Sequence, residues 1–278
     1  MGGPDLIARS ISACRIADRY GNTWQYHSRS DRHSKIACWV AAFDLMRRCE
    51  LLRDHVAAGK VVLGVNHTLR DFQTQRKKDL DLVIAQPASG SPSSTARTFI
   101  DMAADWGLQL DADESAALAA LPPAPVAPVG AVLVALEAKA TMTAHVRALP
   151  RLHDELDSSH STTHGNSERA LAVGFVMVNA GEEFISTDMN KHDLSTTAPR
   201  VNRHRQPSDA KRVIAKIGEL RRRAGGASTG FDAVGVMVVE MRNDGSPVVV
   251  LDAPDPVFPY EQMIRRVSHE YAAAFARI

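Results

Sequence analysis

The 278-residue sequence predicts one α/β domain in which a mixed central β-sheet is flanked by helices. The main observation is that short apolar runs alternate along the chain with longer segments whose apolar residues recur at helical spacing. The apolar share of 45% is also that of a globular protein. Because aromatic residues make up only 5% of the chain, Ala, Val, Leu and Ile must fill most of the core.

The N-terminal region of about 1–60 is expected to be helical and to pack on the sheet. Its first 25 residues are weakly patterned, but apolar residues then recur at helical spacing after a polar stretch at 28–31. That stretch contains residue types that cap helices. We expect this first long helix to end at Ala58, because Gly59 can adopt the left-handed backbone that closes a helix.

Apolar runs predict the strands. The run at 131–136 has the continuous apolar character of a strand that is buried on both faces. The tripeptide Asn243-Asp244-Gly245 predicts a hairpin turn between the last two strands. The predicted strands cover residues 61–65, 80–85, 131–136, 172–178, 234–239 and 248–251.

Proline and glycine set the expected limits of the other helices. Gly90 and Pro92 mark a break, and the four prolines within 122–128 predict a stiff extended segment. We interpret that segment as a loop, because neither half of the chain alone has enough strands for a sheet. Pro150 is expected to kink or split its helix. The further predicted helices cover about 99–106, 142–156, 208–223 and 260–277, and residues 186–206 are expected to be irregular.

Charge and cysteine content exclude some classes of protein. Lys and Arg total 33 against 32 Asp and Glu, so the net charge of +1 excludes a purely basic nucleic-acid coat protein. It does not exclude an enzyme with a local basic surface. Three cysteines without C-x-x-C spacing predict buried thiols in a reducing cytosol. With no signal-peptide pattern and no apolar run near the ~20 residues of a membrane helix, we expect a cytoplasmic protein without a membrane partner.

Two predicted strands carry charged residues at their ends. Asp79 and Asp81 alternate at the start of one strand, and Glu137 and Lys139 alternate at the end of another, so each pair should share a sheet face. Paired carboxylates suit Mg²⁺, which takes oxygen ligands and needs only one or two carboxylates beside its waters. A neighbouring lysine can position or deprotonate a water, or stabilise charge on a phosphate.

This combination resembles the PD-(D/E)xK nuclease superfamily, to which many restriction endonucleases belong. In that family an acidic residue opens an apolar strand and E-x-K closes a second strand, with a helix before the first strand and another after the lysine. The resemblance covers roughly residues 30–180 as an architecture. The matching segments are Asp79-Leu80-Asp81-Leu82-Val83-Ile84 and Leu133-Val134-Ala135-Leu136-Glu137-Ala138-Lys139.

The resemblance implies a restriction endonuclease-like core and a metal-dependent DNA endonuclease, commonly one that serves in restriction or other prokaryotic defence. The implied catalytic residues are Asp81, Glu137 and Lys139. The resemblance further implies Mg²⁺, with Mn²⁺ as a substitute, held by Asp81, Glu137 and the carbonyl of Ala138. Asp79 is either a further metal ligand or a partner for nearby basic residues. The implied partners are DNA and a second copy of the chain, because family members that cut both strands usually dimerise.

Three clusters of polar residues are candidate contacts to the DNA backbone. The first surrounds the start of the first long helix, where a helix N-terminus already favours anions. The second follows the E-x-K strand. The third lies within 200–223, where basic residues greatly outnumber acidic ones. The candidates are Arg29, Arg32, Lys35, Thr141, His145, Arg147, Arg221, Arg222 and Arg223.

Two alternative functions remain open: a non-catalytic DNA-binding protein on the same fold, and a nuclease of repair or transposition. A helix carboxylate is also a candidate to complete the metal site, but the sequence does not choose among Asp31, Asp44 and Glu50. His160 and His164 are four residues apart in a predicted loop, which is too little to predict a zinc site.

One segment copies the form of the motif without its context. Asp209-Ala210-Lys211 follows Pro207-Ser208 at the start of a predicted helix. An aspartate stabilises a helix N-terminus there, so we interpret this segment as structural.

Overall fold

The computed structural model describes residues 2–72, 74–88, 96–223, 228–253 and 258–278. The break predicted at Gly90 and Pro92 lies outside these residues. The helices are α1 (Gly3–Ala13), α2 (Arg32–Arg48), α3 (Glu50–Ala57), α4 (Phe99–Asp105), α5 (Ala112–Ala119), α6 (His145–Asn166), α7 (Ser208–Gly218) and α8 (Tyr260–Ala274). The strands are β1 (Ile16–Ala17), β2 (Thr23–Trp24), β3 (Val62–Arg70), β4 (Lys77–Pro87), β5 (Val129–Thr141), β6 (Leu171–Asn179), β7 (Glu183–Phe184), β8 (Asn202–Arg203), β9 (Ala233–Glu240) and β10 (Val249–Leu251).

The central sheet is mixed, as the sequence predicts, and has six strands in the order β10-β9-β6-β5-β4-β3. Strands β3, β4 and β5 form an antiparallel meander. Strand β6 is parallel to β5, and β9 is parallel to β6. Strand β10 returns antiparallel to β9 after a turn in which Asn243 and Gly245 have positive φ, so the predicted hairpin is confirmed. The two-stranded pairs β1-β2 and β7-β8 lie outside this sheet.

Apolar side chains from the helices cover both faces of the sheet. On one face, α1, α2 and α8 contribute to the larger core cluster, where Trp39 stacks on Phe99 with ring centroids 4.4 Å apart. On the other face, Leu156 of α6 and Ile214 of α7 pack against β6 and β9. Every residue of β6 is buried, which accounts for its continuous apolar run. The three cysteines are free and buried, as expected.

The N-terminal helices differ from the prediction. Helix α1 forms in the segment that looked weakly patterned, and it buries Leu6, Ile7 and Ile11. The first long helix is two helices, α2 and α3, because the backbone of Cys49 is extended between them. Gly59 has φ of +69°, which agrees with its expected role after the second helix.

Helices α6 and α7 also end at other residues than predicted. Pro150 does not split α6, which continues through the segment predicted to be a loop around His160 and His164. In that segment the hydroxyl groups of Ser159 and Thr163 donate to backbone carbonyls one turn earlier, and a tertiary contact holds the last turn, where His164 Nε2 lies 2.8 Å from the carbonyl of Gly230. Helix α7 ends before Arg221, and the following residues form an extended segment that bridges to Phe231.

Strands β4 and β5 are longer than predicted, and this positions the site. Asp81, Glu137 and Lys139 lie inside these strands instead of at their ends. The long interval between the two strands contains α4, α5 and the extended proline segment, which bridges to β3. No helix in the described ranges is long and apolar enough to cross a membrane.

Candidate active site

Strands β4 and β5 separate at the residues predicted to be catalytic. Their antiparallel pairing ends at Leu82 and Leu136, whereas β5 continues to pair with β6. Beyond the last pair, Asp81 Oδ2 accepts a hydrogen bond of 2.9 Å from the backbone N–H of Ala138. Its other oxygen, Oδ1, accepts one of 2.9 Å from the hydroxyl of Ser34 in α2. The Asp81 carboxylate therefore replaces a backbone partner between the strands and is held by the N-terminal turn of α2.

The Glu137 carboxylate is buried and only partly paired. Its side chain is 3% exposed, and Oε1 lies 2.8 Å from Lys139 Nζ and 3.4 Å from Lys78 Nζ. The other oxygen, Oε2, is buried without a hydrogen-bond partner. Leaving a buried charged acceptor unsatisfied costs free energy, so Oε2 is the atom of this site that gains most from an added cation or donor.

Lys139 is surrounded by carboxylates. Besides Glu137, its Nζ lies 3.4 Å from Glu155 of α6, and Glu155 in turn pairs with Arg151 at 2.6 Å. Burial acts to lower the pKa of Lys139, but the charge and hydrogen bond of Glu137 and the charges of Asp81 and Glu155 raise it well above its usual value. The lysine is therefore a cation at neutral pH.

The environment of Asp81 favours its neutral form, whereas that of Lys139 favours the charged form. Burial, together with the negative charge of Glu137, raises the pKa of Asp81 to about 6. The hydrogen bond from Ala138 and the charge of Lys139 act in the other direction but do not cancel this effect. Asp81 consequently changes its charge only about one pH unit below neutrality.

An aromatic pair that the sequence did not single out borders the site. The rings of Tyr26 and His33 have centroids 4.9 Å apart. Desolvation, with a contribution from the charge of Lys139, lowers the pKa of His33 to about 4. Desolvation and the charge of Asp188 raise the pKa of Tyr26 to about 12. Both side chains are uncharged at neutral pH and form a neutral wall beside Lys139.

The predicted further ligand Asp79 has its described partner on the neighbouring strand. Asp79 is exposed and accepts a hydrogen bond from Thr68 of β3. Across the residues that the structure describes, no three His, Cys, Asp or Glu side chains lie close enough together to hold a metal ion. The available protein donors at the gap are thus two carboxylates and backbone carbonyls, without Asp79.

The helix carboxylates have other partners. Asp31 pairs with Lys35 at 2.7 Å, and Asp44 accepts a hydrogen bond of 2.8 Å from Tyr260 at the far end of α2. Glu50 lies in the first turn of α3. Asp209 lies in the first turn of α7, as predicted for the copy of the motif, and caps the N–H of Arg205.

Two of the predicted DNA contacts are buried. Thr141 and His145 are 3% and 2% exposed, and His145 Nε2 is 2.7 Å from the carbonyl of Asn179. They follow an E-x-K that lies inside β5, so they belong to the packing between β5, β6 and α6. Of the neighbouring candidates, Arg147 is exposed.

The candidates at the start of α2 are divided between exposed and paired side chains. Arg29 is exposed, while Lys35 is paired with Asp31. Arg32 donates to the carbonyl of Asp105 at 2.8 Å. Of these three residues, only Arg29 has a charged group for which the described part of the chain shows no competing contact.

The basic residues after α7 do not form one face. The Arg222 guanidinium lies 3.6 Å from the centroid of the Phe258 ring, and Arg223 lies 3.7 Å from Asp232 with its side chain largely buried. Arg221 is exposed. Successive side chains of an extended segment point in opposite directions, which explains why these three separate.

Comparisons with known proteins do not identify the chain. No protein-family model matches it, and neither a curated protein nor a solved structure does. The function must therefore be inferred from the geometry and charge around Asp81, Glu137 and Lys139.

Proposed function

We propose that this protein is a metal-dependent DNA endonuclease that hydrolyses phosphodiester bonds, of the type found in restriction or related prokaryotic defence. The observation that carries the proposal is the meeting of Asp81, Glu137 and Lys139 where β4 and β5 separate. These residues come from the two segments that resemble the PD-(D/E)xK pattern. The buried and unpaired Glu137 Oε2 also favours a site that takes up a cation or a donor.

The donors at the gap fit one Mg²⁺ or Mn²⁺ ion. Asp81 and Glu137 offer carboxylate oxygens, and Ala138 adds a carbonyl. Since the N–H of Ala138 points to Asp81, the carbonyl of the same residue points to the same edge of β5 and into the gap. Two carboxylates, a carbonyl and waters make a suitable shell for Mg²⁺. When bound, the ion supplies stabilisation of negative charge on the scissile phosphate.

The charge of Lys139 restricts its role. Because its pKa is raised by the surrounding carboxylates, Lys139 is a hydrogen-bond donor and a poor proton acceptor. We infer that it orients the attacking water or stabilises charge on the phosphate, and does not deprotonate the water. Glu137 and Glu155, at 2.8 and 3.4 Å, fix the position of its ammonium group.

The order of elements also supports a restriction endonuclease-like core. Helix α2 precedes the strand of Asp81, and α6 follows the strand of Lys139, as the resemblance requires. Both helices contribute a side chain to the site: Ser34 from α2 and Glu155 from α6. The family's proline is absent before Asp81, where Leu80 packs instead in a small cluster under β3 and β4.

Metal dependence provides the first test. Supercoiled plasmid should be nicked in Mg²⁺ or Mn²⁺ and remain intact in EDTA, because the paired carboxylates act through the ion. Ca²⁺ is larger and less polarising, so it should bind without supporting cleavage. Undiminished cleavage in chelator contradicts the metal mechanism. DNA binding without nicking in any of these metals would instead indicate a non-catalytic DNA-binding protein on this fold.

A further inference from the structure

A polar groove of about 300 Å³ lies beside the candidate site. One wall is the N-terminal segment that contains β1, β2 and the approach to α2. The other wall is the segment that follows β7. The first wall carries Arg19 and Arg29, and the second carries Lys191. These residues are far apart in the chain, and only the fold brings them to one groove.

The second wall is a long irregular segment that is held together by hydrogen bonds of a buried side chain. Residues 185–201 lie between β7 and β8 without helix or strand. Within them Asn190 is fully buried, donates to the carbonyls of Ser186 and Arg200, each at 2.9 Å, and accepts from Arg200 N at 2.7 Å. Long loops without secondary structure are uncommon in compact domains unless they serve a function. A buried asparagine that closes such a loop indicates that its shape is kept.

A second asparagine ties the two walls together. Asn22 is buried, and its side-chain amide donates to the carbonyl of His192 and accepts from Leu194 N, both at 2.9 Å. The same amide donates to Asp18 on its own wall. The groove is therefore held open at a fixed width before any ligand binds, which lowers the entropic cost of binding.

The basic side chains of the groove are not neutralised by ion pairs. Among the described residues, no carboxylate lies within ion-pair distance of Arg19, Arg29 or Lys191; Arg19 instead lies over the ring of Tyr20. One of the two acids in the groove, Asp18, is occupied by hydrogen bonds from Tyr20 N, Asn22 N, Asn22 Nδ2 and Trp24 Nε1. Three cations, Arg19, Arg29 and Lys191, thus stand against the two carboxylates Asp18 and Asp188, which leaves the groove an excess of positive charge for an anionic ligand.

The groove continues to the candidate active site. His27 lines the groove, its chain neighbour Tyr26 packs on His33, and His33 directly precedes Ser34, whose hydroxyl donates to Asp81. Ser28 and Thr187 also connect the two walls, with hydroxyl oxygens 3.5 Å apart. A strand whose scissile phosphate lies at Lys139 would therefore pass over Tyr26 into the groove.

We propose that this groove binds the phosphate backbone of the DNA beside the cleaved bond, through Arg19, Arg29 and Lys191. The proposal rests on the proposed function for the identity of the ligand. It places the main phosphate contacts in the groove between the N-terminal segment and the loop at 185–201, and not in the segment after α7. Phosphate contacts of this kind position the substrate and carry no sequence information.

The test is a salt titration of DNA binding in EDTA, where cleavage is absent. The double variant Arg19→Gln with Lys191→Gln should bind a short fluorescent duplex about tenfold or more weakly than wild type. The slope of log affinity against log salt should become shallower by about 2, since two phosphate contacts are lost. Binding and a salt slope equal to those of wild type overturn the proposal.

A matched control removes two cations at the other end of the molecule. Arg48, at the C-terminal end of α2, lies about 21 Å along the helix from Ser34, and Arg265 is exposed on α8. Arg48→Gln with Arg265→Gln should bind like wild type; an equal loss would mean a general charge effect and overturn the groove. If wild type binds DNA through the groove but never cleaves it, the nuclease proposal fails and the groove stands. If wild type binds no DNA, the groove proposal fails.

Discussion

Asp81 joins two strands and is also a candidate metal ligand, and both roles depend on its carboxylate. The hydrogen bond from Ala138 N joins the two strands. The raised pKa of Asp81, caused by burial and by Glu137, concerns its role as a metal ligand. A carboxylate whose pKa is raised to about 6 is one whose environment favours a neutralising cation. Protons and metal ions should therefore compete at this residue.

The raised pKa predicts a pH-dependent cost to stability. The folded-state pKa of Asp81 is about 6, against 3.8 for the free side chain, so its favourable contribution is complete below pH 3.8 and is lost as the pH rises through 6. Relative to Asp81→Asn, metal-free wild type should lose about 2 kcal/mol of unfolding free energy between pH 4 and 8. Urea unfolding of both proteins measures this difference. Asp44, whose pKa is also raised to about 6 by burial, is common to both proteins and cancels.

The residues of the site differ in how clearly the sequence indicates them. Asp81, Glu137 and Lys139 stand in a local pattern of alternating charge beside apolar runs. Lys78 lies in the same strand as Asp81, so the charge pattern of the sequence also indicates it as a site residue. Glu155 could not be chosen, because its contact with Lys139 depends on how α6 packs on β5.

Among the elements, α6 and the segment after α7 depart most from the prediction. The C-terminal half of α6 is rich in Ser, Thr and His, which favour loops in isolation. Tertiary contacts override that preference: His164 Nε2 is 2.8 Å from the carbonyl of Gly230 and 3.6 Å from the carboxylate of Asp232. The sequence cannot show such partners, since they lie far along the chain. The continuous apolar strands β6 and β9 need no distant partner to be recognised.

The same contacts change the expected role of the arginines after α7. Arg223 lies 3.7 Å from Asp232 and 3.4 Å from His164, in a largely buried setting. Arg223→Ala should lower the free energy of unfolding by about 2 kcal/mol or more, because it leaves a buried carboxylate without this partner. Arg221→Ala, at an exposed position, should change stability by less than about 0.5 kcal/mol. Urea denaturation of the two variants compares them; equal stability would mean that the Asp232 contact contributes nothing.

For the whole molecule, the α/β class could be predicted from periodicity, but the meeting of β4 and β5 could not. Along the chain, α4, α5 and the proline segment separate Asp81 from Glu137. Their approach depends on strand register and on the point at which the two strands separate. The aromatic wall of Tyr26 and His33 and the loop at 185–201 likewise follow from tertiary packing. The dimer remains a prediction that light scattering of the purified protein can test.

Metal binding should stabilise the whole fold, because the ligands come from strands that separate on unfolding. Mn²⁺ at about 100 times its dissociation constant should add about 2.7 kcal/mol to the unfolding free energy of wild type. Glu137→Gln keeps the shape of the side chain but weakens the ligand, so the increment should be much smaller. Denaturation with and without Mn²⁺ measures both increments. Equal increments in the two proteins would place the metal elsewhere.

Plasmid nicking by Lys139→Ala and Lys211→Ala in Mg²⁺ tests the central claim most directly. Lys139 lies 2.8 Å from Glu137 in the gap between β4 and β5, whereas Lys211 belongs to the copy of the motif at the start of α7. We expect Lys139→Ala to reduce the cleavage rate by about 10²-fold or more while DNA binding survives. Lys211→Ala should cut nearly as fast as wild type. Normal cleavage by Lys139→Ala, or equal damage from the two changes, would contradict the placement of the active site.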